Sequence, residues 1–175
     1  MDAVDAMEVC QLANADATQA LGRQVAARLL ARWQPRPLPM GPPLTLAPSP
    51  PLLLLQGELG AGKTSLVQGL AEGLGIQEPI TSPTFALAHH YRGEAMVHRV
   101  PTALVHLDLY RLEHPAAAAE LFAQEEEEAR ALGAVLVVEW PERLAFRPEP
   151  CWRVELDIAG EGRVARLFGV GISGD

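Results

Sequence analysis

The sequence predicts an α/β fold: a mixed sheet with a parallel centre and antiparallel flanking strands. Three observations predict it. The apolar run 51-PLLLLQ-56 opens directly into the glycine-rich segment 57-GELGAGKTS-65 and then into a stretch with helical periodicity. Strand-like and helix-like runs then alternate through the middle of the chain, the order expected of parallel strands joined by crossovers. Last, two alternating runs around 160-GEG-162 read as a hairpin. At 175 residues the chain is expected to be one domain, 1–175, with room for a sizeable core.

The elements follow in order. Residues 16–33 read as an amphipathic helix, with Leu21, Val25, Leu29 and Leu30 on one face and Asp16 with Gln19 as a capping box. The stretch 34–51 holds eight prolines between Pro35 and Pro51 and cannot be regular structure, so it reads as a surface insertion. A short buried strand, 52–55, comes next. Leu66, Val67, Leu70, Ala71 and Leu74 then mark a helix over 63–74. Residues 79–91 begin as a loop and continue as an alternating strand, with Phe85 and Leu87 on one face. A strand over 103–110 follows, then a helix over 116–132 whose run 125-EEEE-128 reads as a solvated face. The run 134-AVLVVEW-140 is a fully apolar strand ending in acid, and strands over 152–158 and 163–170 form the hairpin.

Gly57, Gly62, Lys63 and Thr64 fit the spacing G-x-x-x-x-G-K-[ST]. A triphosphate packs several negative charges into a small volume, and only backbone N–H groups can converge on it closely enough. Gly57, Gly60 and Gly62 let the loop curl, while the helix that follows aims free N–H groups and its positive dipole end at the phosphates. Lys63 is expected to reach the terminal phosphates and the Thr64 hydroxyl to ligate Mg²⁺. The chain has 14 Lys and Arg residues and Lys63 is its only lysine. The position that keeps lysine is the one where a compact point charge is needed and a guanidinium fork is too wide. The strand before and the helix after complete the context of a P-loop NTPase.

Such a site needs a second acid at the carboxyl end of a neighbouring strand. Glu139 closes its apolar strand and Asp108 ends 104-LVHL-107. Either is placed to hold the metal, with the other orienting an attacking water. Thr84, in 82-SPTF-85, lies where a switch loop sits and is a candidate sensor of the terminal phosphate. The five histidines lack a persuasive zinc spacing, although His106 and Asp108 share a strand face.

Composition narrows the class. A net charge of −8 without a Lys/Arg cluster argues against direct gripping of nucleic acid. Cys10 and Cys151 match no metal or redox spacing, and no run reaches membrane-spanning length, which suits a cytoplasmic protein with no membrane partner. With Asn14 the only asparagine and Lys63 the only lysine, an N-K-x-D guanine-reading segment is impossible, so ATP is the expected nucleotide. The scattered arginines form no lid of the kind a small-molecule kinase needs. That class, and a nucleotide-gated binding module without required hydrolysis, remain the alternatives to an ATPase.

Five segments together, 18-TQALG-22, 57-GELGAGKTS-65, 82-SPTFAL-87, 106-HLDLYRL-112 and 138-VEWPERL-144, resemble the bacterial TsaE (YjeE) family of P-loop ATPases in tRNA threonylcarbamoyladenosine biosynthesis. The resemblance implies that Gly60, Ala61, Gly62, Lys63, Thr64 and Ser65 hold ATP, with Thr64 and Glu139 on Mg²⁺. It implies catalytic roles for Asp108 and for the switch threonine Thr84, places Trp140 near the nucleotide, and puts Thr18 near the adenine or ribose. It further implies weak ATP hydrolysis that serves TsaD and TsaB, which carry out the transfer, with tRNA met only through that complex. The proline-rich stretch and the glutamate-rich segment depart from the family pattern, and neither touches the site residues.

Overall fold

The computed structural model describes residues 7–32, 51–97 and 100–169. The proline-rich stretch expected over 34–51 lies outside the described residues except for Pro51. The elements are β1 (Met7–Leu12), α1 (Ala15–Arg32), β2 (Leu52–Gln56), α2 (Lys63–Gly73), β3 (Ala88–Val97), β4 (Val100–Asp108), α3 (Pro115–Leu132), β5 (Val135–Glu139), β6 (Trp152–Ala159) and β7 (Gly162–Phe168). One 3₁₀ turn, Pro141–Arg143, follows β5.

These strands form a seven-stranded sheet in the order β1-β7-β6-β2-β5-β4-β3. The β6-β2-β5-β4 centre is parallel, and β1, β7 and β3 add antiparallel flanks. The fold is therefore the α/β P-loop class that the sequence predicts. Because side chains alternate across a strand, β2 splits its leucines between two cores. Leu53 and Leu55 join Leu66, Val67 and Leu70 of α2 and Leu21, Val25 and Leu29 of α1. Leu52 and Leu54 face the opposite side, with Ala118, Phe122 and Ala129 of α3. Each fully buried leucine contributes about 2 kcal/mol relative to an exposed one.

The pairing of α1 on α2 depends on missing side chains. A Cβ on Gly69 would lie 1.9 Å from the Gln19 carbonyl oxygen, and one on Gly22 would lie 2.2 Å from that of Leu66. Backbone faces backbone there, so no side chain can yield. Gly69→Ala is expected to separate the helices and cost about 3 kcal/mol. Thermal unfolding should show the midpoint lowered by roughly 6–12 °C; an unchanged midpoint would refute the close packing.

Five expectations need correction. First, β1 has no counterpart in the sequence reading; its partner β7 pairs with it along Met7–Leu12, so the strand is supplied by tertiary contact rather than by a local pattern. Second, residues 84–87 form turns, and β3 begins only at Ala88. Phe85 is 83% exposed and Leu87 adopts φ 70°, so neither lines a strand face. Third, α1 is capped by Asn14, whose Oδ1 accepts the Ala17 N–H at 2.9 Å, rather than by Asp16 with Gln19. Fourth, Glu125 in the acidic run is buried and bonded to His90 Nε2 at 2.6 Å, so that run is not wholly solvated. The strand expected over 103–110 also ends earlier, at Asp108.

Candidate nucleotide site

The sheet places the chemistry at one end. His106 and Asp108 of β4 and Glu139 of β5 alternate onto the face that carries α2, since Leu104 and Val137 of the same rows pack in the α1/α2 core. Asp108 pairs with Glu139 across the two strands, so both carboxyl groups emerge at the carboxyl end of the parallel centre. There a cleft of about 300 Å³ opens between the glycine-rich loop and the strand ends. Gly60, Gly62, Lys63, Thr64 and Ser65 line one wall, and Asp108, Glu139, Thr84 and Trp140 line the other. Ala61 is fully buried beneath the loop. Thr18 stands apart: it is buried against the back of Gly62, and its hydroxyl donates to the Asn14 carbonyl at 3.3 Å.

The loop is shaped for an anion. Gly62 caps α2 at φ 104°, a conformation that costs a residue with a side chain, and no side chain caps the helix. The first N–H groups of a helix have no intrahelical acceptors, so this end presents donors and the positive pole of the dipole to the cleft.

Lys63 is 6% exposed. Its Nζ donates to the Gly57 carbonyl at 2.5 Å and the Glu58 carbonyl at 3.0 Å, and lies 4.4 Å from the centre of the Trp140 ring. Burial pulls the ammonium's pKa below its ordinary value, against the opposing pull of Glu139, Glu142, Asp108 and Glu58. Trp140 itself sits at φ 57°, a left-handed conformation uncommon for a bulky residue, and stacks 4.8 Å from Tyr110.

The acids are held from behind. Thr84 Oγ1 donates to Asp108 Oδ2 at 2.9 Å, and the Tyr110 N–H donates to Oδ1 at 2.8 Å. Ser82 Oγ lies 2.7 Å from Thr84 Oγ1 and extends this chain of hydroxyls. Glu139 is tied through Oε1 to His106 Nε2 at 2.7 Å, with both residues buried. Among the described residues, His106 Nδ1 has no hydrogen-bond partner. Two further residues therefore support the site: His106, weighed from sequence only as a zinc ligand, behind Glu139, and Arg163, whose guanidinium bonds the carbonyls of Gly60 and Ala61. His106 was visible as the strand neighbour of Asp108; nothing in the local sequence of Arg163 points to the loop.

The donor set is chemically apt for a magnesium nucleotide. A hard cation takes oxygen ligands, and the cleft offers the Thr64 hydroxyl with the carboxylates of Asp108 and Glu139. The uncapped helix end and buried ammonium supply the anion side.

Comparison with known proteins identifies the family. Residues 12–166 match the family model described as threonylcarbamoyl adenosine biosynthesis protein TsaE. Among curated relatives, the tRNA threonylcarbamoyladenosine biosynthesis protein TsaE of Nostoc sp. is 42% identical over 111 residues, covering 63% of this chain and 65% of that protein. The protein of the same name from Synechocystis sp. is 48% identical over 99 residues, 55% of this chain and 58% of its own. The matched stretch thus spans somewhat under two thirds of these relatives. A crystal structure of Bacillus subtilis YdiB superposes with a TM-score of 0.62 at 23% identity, covering 97% of this chain and 90% of that one, which shows the shared fold. With the family model matching most of its length, the chain belongs to the TsaE family, involved in tRNA threonylcarbamoyladenosine biosynthesis.

Proposed function

We propose that this chain binds Mg²⁺-ATP and hydrolyses it slowly, in the service of the TsaD–TsaB complex that threonylcarbamoylates the adenosine beside the anticodon of tRNA. It does not transfer the group itself. It works as one P-loop domain in the cytoplasm, and it meets tRNA only through that complex. The observation that carries the reading is the convergence of an uncapped helix start, a buried Lys63 and two tethered carboxyl groups on one cleft.

Roles follow from that geometry. The N–H groups at the start of α2 and the loop around Gly60 and Gly62 hold the phosphates, with Ser65 beside them. Lys63 leaves the Gly57 and Glu58 carbonyls for the terminal phosphates. Thr64 and Glu139 would hold Mg²⁺, which would supply positive charge against that developing on the phosphate oxygens. Asp108, fixed through Thr84 and the Tyr110 N–H, orients the attacking water. Thr84 couples the 82–87 loop to that carboxylate, so a phosphate that engages the Thr84 hydroxyl competes with the bond to Asp108. Trp140 walls the cleft beside the nucleotide. Thr18 supports Gly62 from below, behind the loop that holds the phosphates, rather than lining the cleft.

Turnover is expected to be slow in isolation. Among the described residues that line the cleft, Lys63 is the only cation, so the charge of the transition state is incompletely met. Hydrolysis should be measured for the purified chain with and without TsaD and TsaB. A rise of at least about tenfold with the partners is expected, the order an added charge contact supplies. Fast turnover by the chain alone, unaffected by either protein, would contradict the reading.

A further inference from the structure

We propose that Arg163 is a positioning residue that holds the glycine-rich loop in its phosphate-ready shape; this rests on the nucleotide reading above. Arg163 is the second residue of β7, beside the hairpin turn, paired with Ile158 of β6 on one side and with Leu12 of β1 on the other. Its side chain reaches across to the loop, about a hundred residues earlier in sequence. Nη2 donates to the Gly60 carbonyl at 2.8 Å and Nε to the Ala61 carbonyl at 3.2 Å. Nη1 donates to the Gly162 carbonyl at 2.8 Å, which fixes the fork to its own strand.

The consequence comes from peptide geometry. In a trans peptide the C=O of one residue and the N–H of the next point in opposite directions. Drawing the Ala61 carbonyl toward Arg163 therefore turns the Gly62 N–H away from it, to the side that faces the cleft. Drawing the Gly60 carbonyl outward does the same for the Ala61 N–H, which closes the turn onto the Glu58 carbonyl at 3.1 Å. Two neighbouring peptide planes are thus set by one planar guanidinium.

These bonds contribute little to folding as such. Residues 58–60 are exposed, and water would satisfy the Gly60 carbonyl equally well. Their effect is conformational. Glycines at 57, 60 and 62 leave the loop many alternatives, and ordering it at the moment of binding would subtract from affinity. Arg163 ties it down beforehand. The flank formed by β1, β7 and β6 thereby gains a purpose beyond closing the sheet: it carries the arginine to the loop.

The test compares wild type, Arg163→Ala and Arg163→Lys by calorimetric titration with Mg²⁺-ADP, alongside thermal unfolding without nucleotide. Arg163→Ala should bind about tenfold more weakly, with a nucleotide-free midpoint matching wild type. Arg163→Lys should stay weakened, because a single ammonium keeps the charge but not the fork. Equal affinity in Arg163→Ala overturns the inference alone. So does full recovery in Arg163→Lys, which would mean that charge and not geometry acts, or a loss of affinity that tracks a lowered midpoint. A wild-type chain that takes up no nucleotide overturns the nucleotide reading and this inference with it.

Discussion

Replacing Glu139 by glutamine is expected to lower ATP hydrolysis by roughly 100- to 1000-fold, the usual loss when the electrostatic stabilisation of a transition state is impaired, here through the metal that Glu139 would hold. Binding of ADP should change far less. The substitution keeps volume, and its amide oxygen still accepts from His106 Nε2, so the buried pair at 2.7 Å is replaced by a neutral hydrogen bond rather than an orphaned donor. The unfolding midpoint should therefore stay near wild type. This variant also separates the two ways in which the chain can serve the modifying complex. If threonylcarbamoylation persists while hydrolysis stops, occupancy alone is what the complex reads, and the protein is a nucleotide-gated module. If both stop together, turnover is required. Unchanged hydrolysis would remove Glu139 from the machinery.

Lys63→Met is expected to act in opposite directions on binding and on stability. Nucleotide affinity should fall by roughly 100-fold or more, since the only cation lining the cleft among the described residues disappears. The nucleotide-free protein should be no less stable than wild type. Burial lowers the lysine's pKa, so the folded chain holds this proton less tightly than the unfolded chain does. The sign follows directly. Below the folded pKa the buried charge is a penalty present in full, and wild-type stability rises with pH from there to the ordinary lysine value of 10.5. The methionine variant should lack that rise. Unfolding followed from neutral pH to about 10.5 checks it; a variant clearly less stable than wild type at neutral pH would show that the carbonyl bonds outweigh the burial.

The central architecture was legible because its signals are local. A leucine run followed by glycines, a lone lysine and a periodic helix can be read without knowing any contact. The placement of Asp108 and Glu139 was legible for the same reason: each ends an apolar strand, and parallel strands collect their ends at one edge. Most of the misses turn on contacts made across the fold, and the helix cap on a choice between two local patterns. Strand β1 exists because β7 offers it an edge. The 84–87 turn replaces the alternating strand because the Leu87 N–H bonds the Pro83 carbonyl and the Asp108 N–H bonds that of Leu87, contacts that an apolar pattern at 85 and 87 does not report. Glu125 looked like one of four solvated carboxylates, and a histidine on β3 buries it. Asn14 caps α1 one residue before the first helical position, where Asp16 offered an equally plausible pattern. Arg163 is an ordinary strand arginine until the hairpin carries it to the loop.

Chain topology also accounts for how the site is braced. Each carboxylate is held by a group on a different element: Asp108 by the 82–87 loop, Glu139 by β4. Such bracing sets the orientation of both groups before any ligand arrives, which is the condition for electrostatic preorganisation. Among the described residues no helix is long and apolar enough to cross a membrane.

The decisive measurement is calorimetric uptake of ATP and ADP by the full chain, with and without Mg²⁺, set beside Lys63→Met. The account predicts saturable binding at one site per chain, strengthened by Mg²⁺ for ATP and lost in the variant. A folded wild-type protein that takes up neither nucleotide, or a variant that binds as tightly as wild type, would contradict it.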